Sequence, residues 1–439
     1  MRKTSVPASS SWRRAARTRG GQAALALGVL LAVAACGNGS PSGTSTASGA
    51  TSTSASPSTS PGTTPPGTTA TSPHRTMPPP PRTTTSKAVE SCVNRVYDGM
   101  TQAQRVGQLF MTAVSTSGLT SSESAAITQG RTGAVILMGH SSAGTTAVKS
   151  VTNRVQGFSP DVRGVTVRML VSTDQEGGKV QVLSGPGFST MPSAVTQGTW
   201  SVSQLTSSAT TWGRQLRTAG VNMNLAPVAD TVPPNLVNVN APIGKLDRNY
   251  GTDPATVTTH STAFLRGMQQ AGVLPTAKHF PGLGRVTGNT DTTADVRDTV
   301  TTRNDAYLAP FRSAVQAGSP FIMISSAIYT RIDPASQAAF SSTVIRGMLR
   351  GDLGFQGVVI SDDLGNAVAV QDHTPAQRAV DFITAGGDIV LTVKPSDIAP
   401  MTAAVIKRIP QDAAFSKDVQ DAVHRVLNEK HDAGLLSCG

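Results

Sequence analysis

The stretch VLPTAKHFPGLGRVTGNTD, Val273 to Asp291, is an apolar run that ends in two basic side chains and then breaks. Val273 to Ala277 reads as a strand, Lys278 and His279 stand at its end, and Pro281-Gly282 stops it. Gly282 to Gly288 is too rich in glycine and polar residues for helix or strand, so Asn289, Thr290 and Asp291 ride on a loop expected to be mobile. Donors fixed on a strand and a carboxylate carried on a loop have the layout of a chemical site. A surface turn whose lysine and histidine are merely solvated is the plainer reading of the same residues.

Seven other runs share this apolar continuity: Leu109 to Met111, Ala134 to Met138, Val167 to Val171, Val221 to Leu225, Phe321 to Ile324, Val358 to Ile360 and Ile389 to Leu391. Continuous runs, rather than alternation, mark strands buried on both faces, as in a parallel sheet. Helix signals fall between them. Asp253-Pro254 and Thr374-Pro375 each place a capping residue before a proline at the first helical position, and Tyr307, Phe311 and Val315 share a helical face that Gly318 closes. Eight strands interleaved with helices predict an α/β fold, a (β/α)8 TIM barrel with long loops. A doubly wound open sheet is the alternative, without its usual glycine-rich nucleotide loop.

The chain has 439 residues, but its first part lacks core-forming material. Six basic residues and no acidic ones lie before Gly20, followed by an apolar run, Ala23 to Ala35, that stops at Cys36. This pattern fits a secretory signal and is short for a membrane span. The ending Val33-Ala34-Ala35-Cys36-Gly37 resembles a bacterial lipobox, which predicts a signal peptide over 1–36 and lipidation of Cys36; plain secretion with an incidental cysteine is the other reading. Arg13-Arg14 is a weak hint of twin-arginine export. Residues 37–90 form a Ser/Thr/Pro-rich tether with too few aliphatic side chains to fold, reaching about 40 Å as a coil and about 150 Å extended. The catalytic domain is expected over 91–439. Removing the six N-terminal charges from the formal +11 leaves +5, without arginine stripes or interleaved aromatics, which argues against nucleic acid and for attraction to an anionic wall or membrane. Cys92 and Cys438 flank the domain and in an exported chain invite a disulfide; two free buried thiols are the alternative. No Cys/His spacing suggests a metal, and no cofactor is expected.

In a barrel, function sits at the C-terminal ends of the strands. The third run leads into Asp174-Gln175-Glu176-Gly177-Gly178, the fifth into Lys278-His279 and the seventh into Ser361-Asp362-Asp363-Leu364, and the loop after the fourth holds Asp230 and Asp247-Arg248. Carboxylates with a lysine, a histidine and an arginine on one rim suit a polyhydroxylated ligand, and paired carboxylates suit acid/base or nucleophilic work.

These residues carry a resemblance. DQEGG at Asp174, NLAPVAD at Asn224, IGKLDRNYG at Ile243, KHFPGLG at Lys278 and RGDLGFQGVVISDDL ending at Leu364 together resemble glycoside hydrolase family 3, most of all its single-domain bacterial β-N-acetylglucosaminidases, including actinobacterial lipoproteins. The resemblance implies a retaining mechanism with a covalent glycosyl-enzyme intermediate. It places the nucleophile at Asp362 and sugar-holding roles at Asp174, Arg248, Lys278 and His279. Asp363 is read as a neighbour, and Asp230 as either a site residue or a loop cap.

Two departures from the family pattern stand out. Lys179-Val180-Gln181-Val182 lacks the second arginine of the usual Arg-Val-Gln-Arg. The loop that usually ends in Asp-Ser-His, with histidine as acid/base, here ends in Asn289-Thr290-Asp291. An aspartate beside a catalytic carboxylate would repel it, whereas Asn289 can hydrogen-bond and position it, so Asp291 is the candidate acid/base. The same change is compatible with a slow or inert protein. The expected function is an exo-β-N-acetylglucosaminidase acting on wall fragments, monomeric and lipid-anchored at the outer face of the cytoplasmic membrane. It should be a hydrolase and not a phosphorylase, because a carboxylate at Asp291 repels phosphate, with Arg285 the one loop cation placed to offset that. An exo-β-glucosidase-like enzyme and a catalytically impaired wall-binding lipoprotein are the alternatives.

Overall fold

The computed structural model describes residues 87–438; the signal segment, Cys36 and the tract before Lys87 lie outside the described residues. A helix, Lys87–Gly99, opens the described part, so regular backbone starts ahead of the expected boundary at Ser91.

Eight strands form the main sheet: β1 (Phe110–Ser115), β2 (Ala134–Met138), β3 (Leu170–Thr173), β4 (Met223–Asn224), β5 (Leu274–Phe280), β6 (Phe321–Ile324), β7 (Val358–Ser361) and β8 (Val390–Thr392). Each pairs in parallel with its neighbours in chain order, and β1 also pairs with β8. The last seam is closed by a parallel bridge between Ile360 and Ile389 and by the Ser361 N–H donating to Ile389 O at 2.9 Å. The sheet therefore returns on itself as a (β/α)8 barrel, and the open-sheet alternative fails at that seam. Nearly all strand residues are buried, which is why their sequences are unbroken apolar runs.

β4 is shorter than its run because side chains replace part of its ladder. Asn222 accepts from Val171 N–H at 2.8 Å and donates to Met169 O, while Asn224 accepts from Gln175 N–H at 3.0 Å and donates to Gln175 O. The proline-headed helices form as read: Asp253 caps Pro254–Gln270, and Thr374 with Gln377 makes a capping box on Pro375–Ala385. Helix Pro254–Gln270 packs on Val202–Thr218 through Gly267, where a Cβ would stand 2.5 Å from that of Ala209.

The barrel floor is covered by the long helix Ala413–Asp432 and the segment after it. Lys430, fully buried there, donates to Gln108 Oε1 at 2.7 Å and to Gly133 O at 2.8 Å, both just ahead of β1 and β2. Cys92 in the first helix and Cys438 are joined as a disulfide with Cα atoms 6.3 Å apart.

Candidate active site

At the opposite end, the loops that leave the strands enclose a cavity of about 410 Å³. Asp174, Arg248, Lys278, His279, Asp291 and Asp362 all line it, so the structure brings together the six residues given catalytic or sugar-holding roles, whereas Asp230 is buried behind them and Asp247 pairs with Lys179 on the surface.

Lys278, at the end of β5, is the centre of the polar cluster. Its Nζ lies 2.6 Å from Asp174 Oδ1 and 2.6 Å from Glu176 Oε1. Glu176 also takes Arg248 in a bidentate pair, 2.8 Å from Nε to Oε2 and 2.8 Å from Nη2 to Oε1, while Arg248 Nη1 donates to Pro242 O. Burial by itself would raise the Glu176 pKa, yet Arg248 and Lys278 bring it down to about 2. Burial likewise opposes the charge on Lys278, but Asp174 and Glu176 outweigh it and the pKa is raised. The next residue along β5, His279, is held by Asp230, whose Oδ2 lies 2.7 Å from Nδ1 and whose Oδ1 accepts from the backbone N–H groups of His279 and Leu283. With Nδ1 engaged, the Nε2 edge of the ring is the one left for a ligand.

Asp362 stands at the end of β7, its backbone N–H bound to Ile324 O at 3.0 Å and its Oδ1 accepting from Asp363 N–H at 2.9 Å. Asp291 lies across the cavity on the loop after β5, open to water at the mouth. Its pKa is raised, first because surrounding protein displaces solvent and then because Asp362 and Asp174 are negative, with His279 and Arg248 opposing. A basal carboxylate facing a carboxylic acid across a cluster of hydroxyl-binding groups is the equipment for glycosyl transfer.

The sequence profile described as the glycosyl hydrolase family 3 N terminal domain matches residues 101–429. The chain belongs to glycoside hydrolase family 3. It is 32% identical over 278 residues to a β-hexosaminidase of Xanthomonas oryzae pv. oryzae, spanning 60% of this chain and 79% of that relative. Among solved structures it is similar to the β-N-acetylhexosaminidase of Beutenbergia cavernae, at 46% identity and TM-score 0.74 over 76% of this chain and 99% of that one. It is also similar to LpqI of M tuberculosis, at 25% identity and TM-score 0.63 over 74% of this chain and 93% of that one.

Several expectations about this family 3 hydrolase need correction. The loop after β5 is docked: Asp291 O accepts from Val368 N–H at 3.2 Å, Thr290 O accepts from Ala369 N–H at 3.0 Å, and a Cβ on Gly284 would overlap Thr231 O. Asn240, fully buried, ties the same loop to the one after β4 by donating to Leu283 O and Val286 O, each at 2.7 Å. Asn289 positions Asp291 through the backbone, accepting from its N–H at 3.0 Å. Arg285 turns away from the cavity, pairs with Asp305 at 2.7 Å and lies 3.6 Å over the Tyr307 ring. Asp230, fully buried, does not line the cavity; it holds His279 from behind and caps the loop after β5 at Leu283 rather than the loop that follows it in sequence. Asp363 is a staple: its oxygens accept backbone N–H groups of Val393, Gly365 and Asn366, joining the ends of β7 and β8. Glu176 was not singled out from the sequence, although it lies inside DQEGG and the excess of nearby cations over Asp174 calls for a second carboxylate.

Proposed function

We propose that this protein is a retaining exo-β-N-acetylhexosaminidase that releases terminal β-linked GlcNAc from cell-wall fragments. The observation that carries the reading is the convergence of Asp362 and Asp291 on one cavity whose Asp174, Arg248, Lys278 and His279 face the same space. The names of the relatives support the amino sugar. In the first step an Asp362 oxygen bonds to the anomeric carbon as the glycosidic bond breaks, and Asp291 gives its proton to the departing oxygen. In the second, Asp291, now ionised, takes a proton from water, whose oxygen displaces Asp362 from the anomeric carbon. Asp174, Lys278, Arg248 and His279 hold sugar hydroxyls. The raised pKa of Asp291 favours the acid form that the first step needs.

Water rather than phosphate is the acceptor in this reading. Asp291 is negative when the acceptor attacks, and Arg285, which would offset that charge, is committed to Asp305. Export and a lipid anchor at Cys36 belong to the same proposal and place the enzyme at the outer face of the membrane, where the basic mature chain meets an anionic wall. Hydrolysis of an aryl β-GlcNAc by the chain from Lys87 onward, compared with the matching β-glucoside, tests the reading. Faster release from the glucoside, or binding of both without turnover, overturns it.

A further inference from the structure

The cavity's charges are unusually well accounted for. Arg248 has given Nε and one Nη2 hydrogen to Glu176 and one Nη1 hydrogen to Pro242 O, and Lys278 has given two hydrogens to Asp174 and Glu176. Each cation therefore has its charge matched by a carboxylate and still keeps donors for neutral hydroxyls. His279 is held through Nδ1 by Asp230, fully buried behind it. Beyond these pairs the lining carries three more carboxylates, Asp362, Asp291 and Asp363, none of them in an ion pair among the described residues. The cations nearby do not redress the balance. Lys179 is 2.9 Å from Asp247 on the surface, Arg285 faces Asp305, Lys245 is exposed, and of the two cations on the Asp363 side Arg378 is buried against Leu364 O and Gly365 O and Lys394 lies 3.7 Å from Asp397; none of these five lines the cavity. What remains of the wall is apolar: Met138, Val180, Pro242, Leu246, Ala367 and Val393.

We propose that this cavity selects uncharged aglycones and turns away those with a carboxylate beside the scissile bond. A neutral sugar meets free donors on Lys278 and Arg248, and an uncharged aglycone meets an apolar wall. An acidic aglycone finds no cation free to receive it, in a cavity that must already hold Asp362 as an ionised nucleophile with Asp363 beside it. Among wall-derived fragments, the lactyl group of muramic acid is then accepted as a peptide amide and disfavoured as the free acid. This rests on the β-N-acetylhexosaminidase reading above and narrows it to one class of substrate.

The test compares kcat/KM for three compounds at low and high salt: GlcNAc-β-1,4-GlcNAc, GlcNAc-β-1,4-MurNAc as the free acid, and the same disaccharide with its lactyl group as a methylamide. The methylamide controls for the bulk of the lactyl arm. The free acid should be cleaved about tenfold less efficiently than the methylamide at low salt. That gap should narrow at high salt, because the screening length falls from about 30 Å at 0.01 M to about 3 Å at 1 M. Val180→Arg, which puts an uncommitted cation on the apolar wall, should move the acid-to-amide ratio towards one. Equal cleavage of acid and amide, or a gap that salt does not touch, overturns the selectivity while leaving the hexosaminidase reading standing. Failure to cleave any of the three overturns both.

Discussion

Two lysines are buried at opposite ends of this barrel, and their environments push them in opposite directions. Lys278, on the rim, lies between Asp174 and Glu176 and has its pKa raised despite burial. Lys430, on the floor, donates to the neutral acceptors Gln108 Oε1 and Gly133 O, and burial lowers its pKa to about 7. The rim thus invests in compensated charge that a ligand can use, whereas the floor carries an uncompensated cost of holding a cation away from water. The side chain and its burial are the same; the partners decide the sign.

The largest effect is expected from the acid on the rim. Asp291→Asn should cut kcat/KM about 10²- to 10⁴-fold for substrates with poor leaving groups and far less for a dinitrophenyl glycoside, which leaves without protonation. Because the Asp291 pKa is raised, the wild type should keep its activity on poor leaving groups above the ordinary carboxylate range and lose it as pH rises through that raised value. The variant should lack this limb, and equal losses on both substrates would remove Asp291 from the acid role.

Glu176→Gln breaks the rim side of the comparison directly. It leaves Arg248 and Lys278 buried with Asp174 as the remaining close carboxylate, so a loss of about 3–5 kcal/mol in urea unfolding is expected, together with a higher KM. The sign with pH is fixed by the lowered pKa: the stabilisation from Glu176 is complete above about 4.5 and is lost as pH falls towards about 2. A variant as stable as wild type would show that the cluster is not held by this carboxylate.

On the floor, replacing Cys92 and Cys438 by serine should cost about 2–4 kcal/mol, because the bridge closes a sequence separation of 346 residues, and should leave kcat unchanged. A fall in kcat at full occupancy of the folded state would contradict the separation of floor from site.

Lys430 gives the most specific effect, one read as a dependence on pH. Between about pH 7 and about pH 10.5 the unfolded chain holds this proton and the folded chain does not, so raising pH through that window stabilises the fold by up to about 1.4 kcal/mol per unit. Lys430→Met removes that term and leaves Gln108 and Gly133 without a donor. The difference in stability between wild type and variant should therefore shift with pH across the window, and parallel curves would contradict the lowered pKa.

The barrel was legible because strands buried on both faces leave unbroken apolar runs, and the caps at Asp253 and Thr374 because capping is local. Strand pairs such as Ile328–Tyr329 with Asp333–Gln337 were not, because the first is two residues long and the second is a polar, proline-containing segment with no apolar run. Asp174, Lys278, His279 and Asp362 could be read from where strands end, whereas Arg248 and Asp291 lie on loops and were legible only through the family's motifs. Glu176 could not be ranked above its neighbours, since its partners Arg248 and Lys278 come from loops far along the chain and only folding puts them on one carboxylate. The loop after β5 looked mobile for a related reason: its glycines advertise freedom, while what pins it, Asn240 and the backbone of Val368 and Ala369, lies elsewhere in the sequence.

The central claim is that Asp362, at the end of β7, attacks the anomeric carbon. A slow-turnover fluorinated β-glycoside of the amino sugar, followed by digestion and peptide mass spectrometry, tests it most directly. The account predicts one sugar per protein, carried on Asp362. A label on Asp363, whose oxygens are occupied by three backbone N–H groups, or on Asp174, which is paired to Lys278, would contradict it.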